Sequence, residues 1–199
     1  MTRSQEPTRR NLPVVTLALV SIAVLFALFP GAMPALEYDR ARVVSAGEWW
    51  RILSGQLVHW NMRMALLDLG MLLLLGLWAE STAPRVTRVL LLVAWPLIGA
   101  GIHFWPAGLS TYRGASGLAS ALFVWVALLI ATKSGSPWVR LAAISAPFFL
   151  ALKLLLESST GVAVFAGPLP AGVRVTPSAH LLGCGVALGV FLAGRGKTE

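Results

Sequence analysis

The sequence predicts an all-α fold: a polytopic membrane protein built as one bundle of six transmembrane helices. Three observations lead there. Of 199 residues, 57% are hydrophobic and 12% are charged, about half the charged share of a soluble domain. The mean hydropathy is +0.76. The apolar residues also fall into six runs, each close to the roughly 20 residues needed to cross about 30 Å of hydrocarbon.

The runs extend from Leu12 to Phe29, His59 to Trp78, Val86 to Trp105, Gly114 to Ala131, Trp138 to Leu156 and Pro177 to Ala193. The first follows Arg9-Arg10 and precedes small residues, which also fits a secretory signal. Its apolar run exceeds the 7–15-residue core of such signals, so it reads as a retained span. The connections are mostly short. Residues 12–194 therefore form one membrane domain, with residues 1–11 and 195–199 as short tails. There is no internal repeat, low-complexity tract or β-alternation.

The net charge of +8 does not mark a nucleic-acid binder, because the basic residues sit in short loops at span ends rather than on one face. They set the orientation instead. Arg3, Arg9, Arg10, Arg85, Arg88, Lys133, Arg140, Arg195 and Lys197 fall on one side; Arg40, Arg42, Arg51, Arg63, Arg113 and Arg174 fall on the other. Nine against six places both termini in the cytoplasm by the positive-inside rule. The single Cys184 excludes a disulfide within the chain and a cysteine-based metal site. His59 and His103 are too isolated for zinc, and no H-E-x-x-H occurs, so no metal or organic cofactor is implied.

With this orientation, the second, fourth and sixth spans each begin on the outer side, and each carries its unusual polar residues near that start. These are His59 and Asp68, then Ser116, then His180. Polar side chains at membrane depth face a bundle interior or a water-filled cavity. Serine becomes a nucleophile when a base takes its proton, and histidine is the usual base near neutral pH. Ser116 and His180 stand on different spans, so those spans must approach closely. Gly117 and Ala121 on the fourth, with Gly183, Ala187, Gly185 and Gly189 on the sixth, are small residues at the four-residue spacing that permits this. At a helix start, free N–H groups and the positive end of the dipole can also stabilise an oxyanion beside Ser116.

Blander readings exist for each residue taken alone. A serine in a membrane helix usually bonds back to its own backbone. Gly114-Ala115-Ser116-Gly117 is a weak motif by itself, and Leu118 rules out the G-x-S-x-G elbow. The coincidence of serine and histidine at one depth favours chemistry.

The residues resemble the rhomboid superfamily of intramembrane serine proteases from about Gly47 to Gly189. "GEWWRILSGQLVHWNMRMALLDLG" resembles the family's Trp-Arg loop running into a second span that begins with histidine. "RGASG" resembles its G-x-S-G, which implies Ser116 as nucleophile. "SAHLLGCGVALG" resembles its A-H-x-x-G, which implies His180 as general base. The short architecture and "ALKLLLE" are most similar to the rhombosortase branch, whose members are thought to process exported proteins with a C-terminal Gly-Gly tail, a single span and a basic end. The resemblance thus implies membrane-anchored protein substrates, a bacterial inner membrane and a site toward its outer side. Lys153 and Glu157 read either as an i,i+4 pair at the membrane edge, with Lys153 snorkelling, or as substrate-reading groups.

Two departures bear on the oxyanion site. Where relatives carry a second histidine and an asparagine that donate hydrogen bonds, this chain has Met64 and Asp68. Methionine cannot donate, and aspartate donates only when protonated. His59, the Ser116 N–H and Asn61 are the remaining donors, with Gly114 shaping the site. One turn after the nucleophile, where many relatives place an aromatic residue or histidine against the base, stands Ser120. No acidic third member is evident, so packing is expected to orient His180 in a Ser-His dyad. A general rhomboid protease of single-span substrates, a rhomboid-like pseudoprotease that binds membrane helices without cutting, and a small transporter or channel are the alternatives.

Overall fold

The computed structural model describes residues 12–105, 109–165, 167, 169–170, 173 and 176–195. The tails at residues 1–11 and 196–199, and Arg174, lie outside the described residues. The first helix, α1 (Val14–Leu28), is 15 residues long, about 22 Å at the helical rise and so short of a full span. The connection that follows is folded rather than plain. A 3₁₀ turn leads into α2 (Met33–Leu36), and β1 (Tyr38–Asp39), α3 (Arg40–Ala46) and α4 (Arg51–Ser54) come next. Then α5 (Met62–Thr82), α6 (Pro84–Phe104), β2 (Thr111–Tyr112), α7 (Ser116–Lys133), α8 (Pro137–Thr160) and α9 (Pro177–Arg195) complete the chain.

The five helices from α5 to α9 are each long and apolar enough to cross a membrane. A sixth candidate arises if α1 and Pro30–Leu36, bent by 97° from it, count as one broken span. The protein is thus an all-α polytopic bundle. Leu66, Leu74, Leu92, Phe148 and Leu155 are more than half exposed on its outside. Large apolar patches of this kind on a soluble protein would mark a binding surface or an aggregation liability; on a span they face hydrocarbon.

Helix α7 lies at the centre, with Leu118, Ala121 and Leu122 fully buried, and packs most extensively on α9. Side-chain bulk decides that contact. A Cβ on Gly183 would collide with the carbonyl oxygen of Gly117, and one on Gly117 would lie 2.9 Å from the carbonyl oxygen of Ala179. Ala121 and Ala187 are fully buried. Gly185 and Gly189 correct the sequence reading: a Cβ at either meets nothing within 4 Å, so neither belongs to the seam.

The segment before α5 fixes the start of α7. The buried Arg51 guanidinium donates to the carbonyls of Pro34 and Glu37, each at 2.9 Å, and pairs with Glu48. Arg113 pairs with Glu37 at 2.9 Å and stacks over Trp60. Tyr38 pairs with Tyr112 and Asp39 with Thr111 in an antiparallel ribbon. Two-residue strands are too short to show the alternation that reveals strands in a sequence.

Candidate active site

Helix α7 begins at Ser116 itself. The turn before it is held from three sides. The Gly114 N–H donates to the Gly55 carbonyl at 3.1 Å. The Ala115 N–H donates to the Asp68 carboxylate at 3.0 Å. The Tyr112 phenol donates to the Gly114 carbonyl at 2.8 Å. Gly114 has φ +138°, a conformation side chains rarely adopt, and a Cβ there would press on Met64 and Asp68. Burial holds the Tyr112 phenol above its usual pKa, with the nearby Asp68 carboxylate adding to the effect, so it stays a donor; the Ser116 hydroxyl interacts with it. The N–H groups of the first turn of α7 have no intrahelical acceptors.

Because α9 packs so closely on α7, the first turn of α9 brings His180 against it. His180 is buried, and its Nδ1 lies 2.9 Å from the Ser120 hydroxyl oxygen. The expectation that packing alone orients His180 is thereby corrected. Ser116, Ser120 and His180 all line one cavity of about 550 Å³, within the usual range of ligand sites. Most of its lining is apolar. Helices α5 and α8 both border it, and each packs against α7.

Asp68 lines the cavity and acts as an acceptor: its Oδ2 takes the Ala115 N–H and lies 3.4 Å from His59 Nε2. His59 is buried behind this turn, also within reach of the Ala115 N–H, and does not line the cavity. Asn61 is the N-cap of α5, its side-chain oxygen accepting the Met64 N–H at 2.7 Å; it too lies off the cavity. Both residues support the local structure at the starts of α5 and α7. A short polar side chain just ahead of an apolar run is a capping signal legible in the sequence.

Lys153 and Glu157 form the i,i+4 pair, at 2.8 Å, but not at the lipid edge. Both line the cavity with Ser116 and His180, and the Glu157 side chain is only 3% exposed. The second Glu157 oxygen accepts the Val164 N–H at 3.0 Å, tying the α8–α9 connection to the pair.

The sequence reading also missed Glu80, which is fully buried in α5. Ending the second span at Trp78 left it outside the membrane segment. Its carboxylate accepts the N–H groups of Val15 and Thr16 and the Thr16 hydroxyl, and pairs with Arg88 at 2.8 Å. It caps α1 from another helix and integrates α1 into the bundle.

No protein-family model matches the chain, and no curated protein matches it in sequence.

Proposed function

We propose that the protein is an intramembrane serine endopeptidase of the rhomboid type, acting through Ser116 and His180 at the outer side of a bacterial inner membrane, with both termini cytoplasmic. One observation carries this reading: a serine that opens α7 and a histidine in the first turn of α9 line the same cavity, sixty-four residues apart in sequence. The cavity, bordered by α5, α7, α8 and α9, suits an extended peptide from a membrane-anchored protein. In the reaction, the Ser116 hydroxyl attacks the substrate carbonyl while His180 takes its proton. The oxyanion forms beside the first-turn N–H groups of α7, and His180 returns the proton to the leaving amine. Water, or another nucleophile, then resolves the acyl-enzyme.

Within that class we favour a rhombosortase-like enzyme cutting Gly-Gly membrane-anchor tails. Lys153 and Glu157, part of the stretch that carries this resemblance, line the cavity rather than the lipid edge. A fluorophosphonate probe should label the purified protein at Ser116. Comparison of protein C-termini by mass spectrometry, in cells carrying wild-type or Ser116→Ala protein, should reveal new C-termini in the wild type alone. Full proteolysis by Ser116→Ala would sink the proposal.

A second reading, a non-catalytic binder of membrane helices, is favoured by Met64 and by Asp68, which accepts where a donor is expected. Cleavage of a tethered single-span substrate in proteoliposomes separates the two.

A further inference from the structure

We propose that Ser120 is the positioning residue of the site, its hydroxyl oxygen accepting from Nδ1–H of His180 and so holding the ring in the tautomer whose Nε2 can accept the Ser116 proton; this rests on the proteolytic reading above. An imidazole has two unlike nitrogens, and the hydrogen bond made by one decides which of them carries the proton. Left alone, the neutral ring favours the proton on Nε2. That form cannot take a proton there. With Nδ1 facing Ser120 at 2.9 Å, Nε2 is the nitrogen left for Ser116, so the competent tautomer must carry its proton on Nδ1.

Among the described residues, Ser120 is the only hydrogen-bond partner of the His180 ring. The charges that act on the ring from neighbouring helices are Lys153 and Glu157 of α8 and Asp68 of α5, and none of them is hydrogen-bonded to it. They set a field, whereas Ser120 sets a direction. The position follows from helix geometry: Ser116 and Ser120 are four residues apart and so share one face of α7. The one that begins the helix is placed to react, and the one a turn later is placed to hold the base. Ser120 is itself buried.

Proton accounting closes without a charged third member. As Ser116 Oγ bonds to the substrate carbonyl carbon, its O–H bond breaks and an N–H bond forms at Nε2. The Nδ1 proton stays on Nδ1, donated to Ser120 throughout. A serine oxygen can accept it while its own proton turns away. The resulting imidazolium keeps a hydrogen bond to a neutral oxygen, a weaker support than a carboxylate would give.

The test uses the full chain in proteoliposomes with a tethered single-span substrate, alongside ¹⁵N spectra of histidine-labelled protein. Ser120→Ala should lower kcat about tenfold or more while KM stays within twofold, and the His180 signals should move toward the Nε2-protonated form. Ser120→Thr, which keeps the hydroxyl, should restore most of kcat and the wild-type signature. The inference is overturned if Ser120→Ala turns over within twofold of wild type, if Ser120→Thr is impaired equally, or if the tautomer signature does not change. Those outcomes leave the protease reading intact so long as wild type cleaves and Ser116→Ala does not. A wild type that neither cleaves nor labels overturns both.

Discussion

At one end of the bundle, where α5 meets α6, Glu80 is fully buried and both its oxygens are taken by backbone, hydroxyl and guanidinium donors. At the other end, where α7 and α9 begin, the half-buried Asp68 and the buried Glu157 line a cavity that also holds Ser116 and His180. The chemical groups are alike, but their surroundings differ. Glu80 joins three helices and is not among the residues lining that cavity, and burying it is tolerable because every lone pair has a partner. The second set leaves room for another molecule, and among the described residues no base is hydrogen-bonded to the Ser116 hydroxyl. A saturated polar cluster fastens a fold, while an open one beside a cavity can act on a ligand.

The sharpest way to break that contrast is to remove one member from each end. Ser116→Ala should cut turnover by about 10⁴-fold or more, as loss of a nucleophile does in serine proteases, with thermal unfolding in detergent unchanged. Glu80→Ala should do the reverse. Stranding its donors should cost about 4 kcal/mol, the scale of a broken buried ion pair, measured by unfolding. The fraction that remains folded should keep full turnover. A Glu80→Ala protein that is stable yet inactive would erase the distinction between the two ends.

Smaller effects sharpen it. Gly183→Ala should cost about 2–3 kcal/mol, because the added methyl must push α9 off the Gly117 carbonyl; turnover should fall as His180 moves with α9. Lys153→Met should cost about 2 kcal/mol by taking a charged partner from Glu157, and adding Glu157→Leu should recover part of it. Gly185→Ala, into open space, should leave activity alone and stabilise α9 by up to about 1 kcal/mol through helix propensity. Differential scanning of the purified variants reads all three.

Helix positions were largely legible in the sequence because hydropathy is a local property. The third run matches α6 within two residues at each end, and Ser116 opens α7 near where the small-residue cluster placed it. Boundaries failed where polar residues lie inside a helix. The sequence predicts a second span from His59 to Trp78, whereas α5 runs from Met62 to Thr82 and takes in Glu80. The predicted fifth span ends at Leu156, one residue before Glu157, while α8 continues to Thr160. In each case a charge in the sequence suggests the edge of the membrane, whereas partners brought by the fold permit its burial.

By itself the sequence determined an all-α chain of long apolar helices and singled out Ser116 and His180 as residues worth pairing. Both follow from the order of residues along the chain and the cost of polar groups among apolar ones. Only the tertiary structure decided that Ser120 meets His180 across sixty positions, that Asp68 accepts the Ala115 N–H across forty-seven, and that Lys153 and Glu157 face the cavity and not lipid. Those contacts depend on how each helix is rotated about its axis and how closely its neighbours pack. A local pattern fixes neither when helices are apolar nearly all round.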